Sequence, residues 1–187
     1  MTHAHPLLLS LACAGLLLPA LAHACWEDAA TRYGVSPQLL YAVARAESDL
    51  NASAVNLTHR DRTKSYDIGL MQINSSHLPT LARFGITERD LYEPCTNIMV
   101  GAWLLAGQFS RQGVSWDSVG AYNAACTQLK GTACQRARST YAWRVFRRLP
   151  SQAKGTHIPA AATARPRTES DTPARPAPFI LNARVTP

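Results

Sequence analysis

The sequence predicts a mainly helical, single-domain fold with one small extended element. A chain of 187 residues with 47% apolar types can fill one hydrophobic core. Between positions 25 and 149, most segments combine helical spacing of apolar residues with recognisable start and stop signals. The stretch SYDIGLMQIN, positions 65–74, instead alternates in the manner of a short strand or an extended turn. We therefore expect helices packed around a small β element.

Local sequence signals mark the ends of the first two predicted helices. WEDAATRY ends at Gly34, a residue type suited to the backbone turn that follows a helix. Ser36 is a predicted N-cap, and Pro37 is a favoured first residue for the second helix. Its apolar side carries Leu39, Leu40, Val43 and Ala44. Positions 51–65, which follow, are polar and irregular.

Four further helices are expected after the extended element. HLPTLARFG predicts a short helix that ends at Gly85. The longest helix should run from about Thr96 to Gln112, and its nearly continuous apolar middle predicts the buried centre of the domain. Ser115 can cap a helix over WDSVGAYNAA. The segment 140–149 predicts a last amphipathic helix whose basic side carries Arg144, Arg147 and Arg148.

The N-terminal segment 1–24 has the pattern of a signal peptide. An apolar run from Pro6 to Leu21 precedes Ala22-His23-Ala24, the small-x-small pattern of a cleavage site. The run is shorter than the roughly 20 residues of a membrane-spanning helix. Cleavage would leave Cys25 first and place the protein in the periplasm. A lipid anchor on Cys25 is the alternative, although Ala22 stands where lipidation signals usually have Leu.

The C-terminal segment 150–187 differs in composition from the rest. Seven of the twelve prolines lie in it, and its apolar residues follow no period. Such a segment cannot bury enough apolar surface to offset the entropy of ordering it. We therefore expect a proline-rich, disordered tail after a domain that spans residues 25–149.

Four cysteines remain when the leader is excluded: Cys25, Cys95, Cys126 and Cys134. An even number in an exported chain favours disulfides, and four cysteines permit three pairings. We favour Cys126 with Cys134, which closes a small loop, and Cys25 with Cys95, which ties the mature N-terminus to the middle of the domain. Zinc is the rival interpretation, but no CxxC or clustered histidine accompanies these residues. No metal site is predicted.

The formal net charge of +7 favours an anionic partner. Nucleic acid, a membrane and a cell-wall polymer all meet that description. The sequence contains no nucleic-acid-binding motif, so no nucleic-acid partner is expected.

The segment YAVARAESDL places Glu47 on the apolar side of the second predicted helix. Leu40, Val43 and Glu47 follow one another at spacings of three and four, so they project from one face. One interpretation is a helix end whose carboxylate reaches water. The other is a carboxyl group at the edge of an apolar cleft, where desolvation raises its pKa and makes it a proton donor near neutral pH. Glycosidic bond cleavage requires such a donor.

Two other segments could complete a site around Glu47. GLMQIN, positions 69–74, combines a flexible glycine, bulky apolar groups and two amides, which suits a groove that binds sugar N-acetyl groups. Tyr122 and Asn123 offer a phenol and an amide that could orient a carboxylate. Taken singly, Met71 and Ile73 are explained as core residues, Gln72 as exposed and Tyr122 as half-buried. Their joint occurrence favours a site.

These motifs resemble the soluble lytic transglycosylase (SLT) domain family, which has a goose-type lysozyme-like α+β fold. The resemblance covers nearly all of positions 25–149 and rests on Glu47-Ser48, GLMQ and AYN. The stretches DIGLMQINSSH, ITERDLYEPCTNIMVGAWLL and GVSWDSVGAYNA are similar to specialised single-domain members that accompany type III and type IV secretion, conjugation and pilus machines.

The resemblance implies a catalytic assignment. It implies cleavage of the β-1,4 bond between N-acetylmuramic acid and N-acetylglucosamine in peptidoglycan glycan strands, with a 1,6-anhydro product and no cofactor. Glu47 corresponds to the single catalytic acid, Ser48 to a neighbour near the reacting sugar and Tyr122 to the phenol that bonds the carboxyl. The groove wall and substrate-binding positions correspond to Gly69, Leu70, Met71, Gln72 and Asn123. Components of a secretion, conjugation or pilus machine are further candidate partners.

Two other functions remain open at this point. A hydrolytic muramidase would need a second carboxylate roughly 5 to 9.5 Å from the first. Asp67 and Asp49 are the candidates, and solvent exposure or turn capping is the simpler interpretation of both. A non-catalytic wall-binding assembly protein would instead use the positive charge and the tail. His59 and His77 lack the spacing of a metal motif such as HExxH and are interpreted as surface residues.

Overall fold

Helices dominate the computed structural model of the protein, which describes residues 18–151 and the side chains of 25–151. The predicted leader lies outside the described residues except for the backbone of 18–24. All but the first two residues of the predicted tail also lie outside them. No helix within the described part has the length and apolar character needed to cross a membrane.

The described residues form seven α-helices and three two-residue strands. The helices are α1 (Leu18–Tyr33), α2 (Pro37–Glu47), α3 (Arg60–Thr63), α4 (Leu78–Ala82), α5 (Pro94–Gln112), α6 (Trp116–Asn123) and α7 (Gly131–Phe146). The strands are β1 (Val55–Asn56), β2 (Asp67–Ile68) and β3 (Ile73–Asn74), and short 3-10 turns lie at Ser75–His77 and Arg89–Tyr92. The predicted mainly helical architecture is confirmed.

Capping signals in the sequence fix several helix ends. The Ser36 hydroxyl accepts a hydrogen bond from the backbone N–H of Leu39 and so caps α2, while the Ser115 hydroxyl accepts one from Ser118 and caps α6. Gly34 follows α1 with a φ of +64°, a conformation that glycine adopts without a steric penalty. These predicted boundaries are confirmed.

Several elements differ from the prediction. α5 begins at Pro94, two residues before Thr96, because proline is well tolerated in the first turn of a helix. α7 begins at Gly131, nine residues before the predicted start at Thr140. The segment 51–65 contains β1 and α3, although its sequence shows no periodicity.

The three strands form an antiparallel sheet in the order β1-β2-β3. Val55 pairs with Ile68 across the first strand pair, and Ile68 pairs with Ile73 across the second. Asn56, Asp67 and Asn74 form the neighbouring row of partners. Side chains alternate between the two faces of a strand. Ile68 and Ile73 are fully buried in the core, and the polar row lies on the opposite face.

The hydrophobic core surrounds α5, as predicted from its apolar middle. α5 packs against α1, α2 and α6, and α6 packs against α7. The largest fully buried side chains are Leu40, Ile68, Met71, Ile73, Leu81, Leu91, Ile98 and Leu105. Two disulfides, Cys25–Cys95 and Cys126–Cys134, join the elements in the pairing that the sequence favoured.

Candidate active site

A cleft of about 1070 Å³ runs along the polar face of the small sheet. Asn56, Asp67, Gln72 and Asn74 line it on the sheet side. One face of α5, from Trp103 to Arg111, and the segment from Ala121 to Leu129 line the other sides. The sheet therefore forms one wall of the groove, as the resemblance implied.

Glu47 is the last residue of α2 and lines this cleft. Its side chain is only 8% exposed, and Leu40 and Val43 on the same helical face are fully buried. The carboxyl group therefore lies on the apolar side of α2, at the cleft, and is largely shielded from bulk water. The prediction that Glu47 is partly desolvated is confirmed.

Two side chains of α7 face the carboxyl group of Glu47. The Tyr141 hydroxyl donates a hydrogen bond of 2.6 Å to Oε1. The Arg144 Nη2 lies 4.0 Å from Oε2. Tyr141 itself is buried, with 3% of its surface exposed. The hydrogen bond fixes the orientation of the carboxyl group in a site with little access to water.

Burial raises the pKa of Glu47 from 4.5 to about 7. The Tyr141 hydrogen bond and the Arg144 charge act in the opposite direction, and the charge of Asp67 adds to the increase. Burial, followed by the charge of Glu47, holds the pKa of the Tyr141 phenol well above its usual value. Tyr141 therefore remains a donor, while Glu47 can give and take a proton near neutral pH.

Tyr122 does not make the contact that the resemblance assigned to it. Its hydroxyl donates to the backbone carbonyl of Met71 at 3.0 Å, and its ring stacks on that of Tyr141 with 6.5 Å between centroids. The assignment of the carboxyl bond to Tyr122 is wrong. The Tyr122 hydroxyl bonds the Met71 backbone instead, and α7 places the Tyr141 hydroxyl against Glu47. The available sequence signal was spacing, because Tyr141 lies four residues before Val145 and so shares its buried, apolar face of α7.

Ser48 joins the end of α2 to the groove wall. Its hydroxyl donates to the Leu70 carbonyl at 2.7 Å and accepts from the Asn51 N–H at 3.0 Å. It is not among the residues that line the cleft. Both hydrogen bonds direct its hydroxyl to backbone groups, and the implied position of Ser48 beside the reacting sugar stays a prediction.

Only Gln72 of the GLMQ motif lines the cleft. Leu70 and Met71 are 6% and 0% exposed and belong to the core, and their contact with substrate stays a prediction. Gly69 is also buried, with a φ of +74°, and a Cβ there would collide with Asn97 and the Leu91 carbonyl. This close packing accounts for a glycine at the turn, and the contact of Gly69 with substrate stays a prediction.

Gln72 and Asn123 both line the cleft, and their binding of substrate stays a prediction. Gln72 has a left-handed backbone with a φ of +50°, and its Nε2 donates to the Gly69 carbonyl at 2.8 Å. Asn123 is exposed at the opposite side. Beyond Asn123, the backbone takes a left-handed conformation at Cys126, with a φ of +58°.

Asn97 holds the groove wall in place and was not singled out in the sequence. It is fully buried in α5, and its Oδ1 accepts from the Met71 N–H at 2.7 Å. Its Nδ2 donates to the carbonyls of Leu91 at 2.7 Å and Ile68 at 3.0 Å. An asparagine within the apolar run of α5 was the available signal, because buried amides need such partners.

Asp67 lies in the cleft and is not the exposed turn residue that the sequence suggested. Asn74 donates to its Oδ1 at 2.7 Å and Asn56 to its Oδ2 at 3.3 Å. The His59 Nε2 lies 3.6 Å from Oδ1. His59 and His77 also line the cleft, where both are partly exposed. The sheet brings these polar groups to one face.

Asp49 is placed outside the cleft. Its side chain is 75% exposed and pairs with Arg45 at 2.6 Å. Among the described residues, no group of three or more His, Cys, Asp or Glu is placed to hold a metal ion. Asp67 is therefore the carboxylate that shares the cleft with Glu47.

A smaller apolar pocket of about 300 Å³ lies between α6 and α7. Trp116, Trp143 and Phe146 line it, and its one carboxylate, Asp117, pairs with Arg138 at 2.7 Å. The pocket does not include Glu47. The larger cleft, with its buried acid and polar wall, is the candidate active site.

Known proteins resemble this chain in sequence. Residues 24–143 match the family model described as Transglycosylase SLT domain. The chain is 39% identical over 131 residues to "Invasion protein IagB" of Salmonella typhimurium (strain SL1344), covering 67% of this chain and 76% of that protein. It is 38% identical over 128 residues to "Peptidoglycan-binding-like protein" of Escherichia coli O157:H7, covering 66% and 74% of the two chains.

A third relative, "X polypeptide" of Escherichia coli (strain K12), is 36% identical over 148 residues, which cover 78% of this chain and 85% of that protein. The family model spans well over half of the chain, and the helices with their small three-stranded sheet agree with a lysozyme-like fold. The chain therefore belongs to the SLT family of peptidoglycan lytic transglycosylases.

Proposed function

We propose that the protein is an active lytic transglycosylase, which cleaves the MurNAc-β-1,4-GlcNAc bond and forms 1,6-anhydro-MurNAc. The observation that carries the proposal is the buried Glu47 carboxyl group, which has a pKa of about 7 and lines a cleft of about 1070 Å³. That volume suits a chain of several sugars better than a single small ligand. The reaction needs a group that first donates and then accepts a proton, and Glu47 meets both requirements.

Glu47 acts twice in the proposed reaction. It first protonates the glycosidic oxygen as the bond to the anomeric carbon breaks, while the 2-acetamido group of the substrate stabilises charge at that carbon. The resulting carboxylate then removes the proton of the muramic acid C6 hydroxyl, whose oxygen closes on the anomeric carbon. Because Tyr141 occupies Oε1, we assign the exchanged proton to Oε2. The cycle returns the acid to its protonated form and consumes no water.

The alternative chemistry is hydrolysis with Asp67 as the second carboxylate. One observation favours it, namely that Asp67 lines the same cleft and its charge acts on Glu47. In two-carboxylate glycosidases the second group is a nucleophile or activates water. In the proposed reaction, Asp67 instead keeps a proton on Glu47 through its charge. Asp49 does not fit the hydrolytic scheme, because it is exposed and paired with Arg45.

Product analysis separates these reactions. Purified sacculi are incubated with the protein and with its Glu47→Gln and Asp67→Asn variants, and the released muropeptides are analysed by mass spectrometry. Anhydro ends support the transglycosylase, whereas reducing ends, heavier by one water molecule, identify the hydrolase. Equal release by Glu47→Gln and the unmodified protein would refute the role of Glu47. No release by the folded, unmodified protein would favour a wall-binding assembly protein.

We also propose a setting for the activity. Segment 1–24 would direct export to the periplasm, where cleavage would open the wall locally for a secretion, conjugation or pilus apparatus. The name of the relative "Invasion protein IagB" supports a specialised role of this kind. The Cys25–Cys95 disulfide supports an unanchored protein over a lipoprotein, because a lipid anchor needs a free thiol at Cys25. Cell fractionation tests the location, and a chain truncated after Leu149 should still release muropeptides if segment 150–187 serves only partners.

A further inference from the structure

Arg144 lies on the same face of α7 as Tyr141, one turn further along the helix. Tyr141 bonds Oε1 of Glu47, and the Arg144 Nη2 lies 4.0 Å from Oε2. Each carboxyl oxygen therefore has its own neighbour on α7. Position 144 lies one residue beyond the span that the family model matches, and none of the motifs GLMQ, AYN and Glu47-Ser48 includes it.

The aromatic ring beneath Arg144 fixes the position of its guanidinium group. The Cζ atom lies 4.9 Å from the ring centroid of Tyr141, within the range of a cation–π contact. The Nε atom is buried and has no hydrogen-bond partner among the described residues. Hydrogen bonding at Nε therefore does not explain where the side chain sits. The ring and the carboxyl group of Glu47 are the two contacts that explain it.

The contact between Arg144 and Glu47 is electrostatic. A separation of 4.0 Å exceeds the length of a hydrogen bond, so the guanidinium group favours the charged carboxylate without occupying Oε2. Oε2 therefore stays available for proton exchange with a sugar. A bidentate pair at hydrogen-bond distance would instead hold the carboxylate ionised and unable to act as an acid.

Four groups face Glu47 from the elements packed around it. Tyr141 and Arg144 of α7 favour the carboxylate, and Asp67 of β2 favours the protonated acid. Tyr122 of α6 presents a neutral phenol whose hydroxyl is bonded to Met71. Among the described residues, Arg144 is the one cation that acts on Glu47.

We propose that Arg144 is a positioning residue that sets the pH range over which Glu47 exchanges its proton. This inference rests on the proposed function and adds to it. After the first proton transfer, Glu47 is an anion with little access to water, which is unfavourable without a nearby positive charge. Arg144 supplies that charge from outside the sugar-binding cleft. It therefore keeps Glu47 acidic enough to protonate the leaving oxygen, while burial keeps it basic enough for the second step.

The test measures the pKa of Glu47 directly in the full-length protein. Carboxyl ¹³C NMR follows the titration, and the signal missing from Glu47→Gln identifies the residue. Arg144→Met keeps a long side chain and removes the charge, whereas Arg144→Lys keeps a charge without the planar guanidinium group. Arg147→Met is the matched control, because it removes one charge from an exposed position directly after the end of α7.

We expect Arg144→Met to raise the pKa of Glu47 by about half a pH unit or more, allowing for the partial exposure of the arginine. Arg144→Lys should fall between this variant and the unmodified protein, and Arg147→Met should leave the pKa unchanged. The alkaline limit of muropeptide release should move upward in the same order, because Glu47 must be protonated to begin the reaction. Circular dichroism verifies that each variant is folded.

An unchanged Glu47 pKa in folded Arg144→Met would overturn the inference, as would an equal shift in Arg147→Met. If Arg144→Met does not fold, Arg144→Gln takes its place with the same expectation. The titration does not depend on catalysis. If the unmodified protein releases no anhydro muropeptides, the proposed function fails, and the pKa comparison still decides whether Arg144 controls Glu47.

Discussion

The Glu47→Gln variant should be more stable than the unmodified protein at alkaline pH. The folded protein holds the Glu47 carboxyl group with a pKa of about 7, compared with 4.5 in an exposed chain. A raised pKa means that the folded state binds the proton more tightly than the unfolded state. Stability linked to this group is therefore fully present below pH 4.5 and is lost as the pH rises through 7.

The magnitude follows from the difference between the two pKa values. At about 1.4 kcal/mol for each tenfold change in proton affinity, the change from 4.5 to about 7 corresponds to about 3 kcal/mol. Glutamine carries no charge and keeps an oxygen that can accept the Tyr141 hydrogen bond. We therefore expect Glu47→Gln to gain up to about 3 kcal/mol over the unmodified protein at pH 8, and close to nothing at pH 4.

Urea unfolding at a series of pH values between 4 and 8.5 measures this difference. Glu27→Gln is the control, because Glu27 is exposed on α1 and its substitution should change stability by less than about 0.5 kcal/mol at each pH. A constant difference between Glu47→Gln and the unmodified protein across the range would refute the reasoning. Such a result would mean that folding does not raise the pKa of Glu47.

Three further substitutions test other contacts. Tyr141→Phe should slow muropeptide release by about tenfold through loss of the bond that orients Glu47, and Tyr122→Phe, which leaves that bond intact, should slow it less. Asn97→Ala should lower the free energy of unfolding by about 3 kcal/mol, because it removes the hydrogen bonds that one buried N–H and two carbonyls make to this amide; urea unfolding measures the loss. Replacing Cys25 and Cys95 together with serine should destabilise the domain by about 2–4 kcal/mol, and a melting temperature equal to that of the unmodified protein would contradict this expectation.

The sequence predicted those parts of the fold that depend on neighbouring residues. Caps such as Ser36 and Ser115 act within three positions, so α2 and α6 could be bounded without knowledge of the tertiary structure. Helical spacing placed Glu47 on the apolar face of α2, but a solvated helix end fitted that spacing as well, and only the joint occurrence of the later motifs favoured a buried site. The strands could not be predicted in the same way, because two residues are too short to display a period.

The contacts that complete the site join residues far apart in the chain. Tyr141 and Glu47 are 94 positions apart, and no local pattern distinguishes Tyr141 from Tyr122 as the partner of the acid. The first half of α7 lacks apolar periodicity, and its packing on α6 depends on Gly120, where a Cβ would collide with Arg138. Asn97 and Asp67 likewise acquire their roles only when α5 and the sheet meet.

The Cys25–Cys95 disulfide determines what a proteolytic cut in the groove region does to the protein. It closes a covalent ring that contains α2, the sheet and the groove wall, while the exposed segment from Leu57 to Lys64 lies inside the same ring. A single backbone cut in that segment separates Glu47 from Asp67 along the chain but releases neither piece. The nicked protein therefore migrates as one molecule on a gel until a reductant is added, and both carboxyl groups stay within one covalent unit.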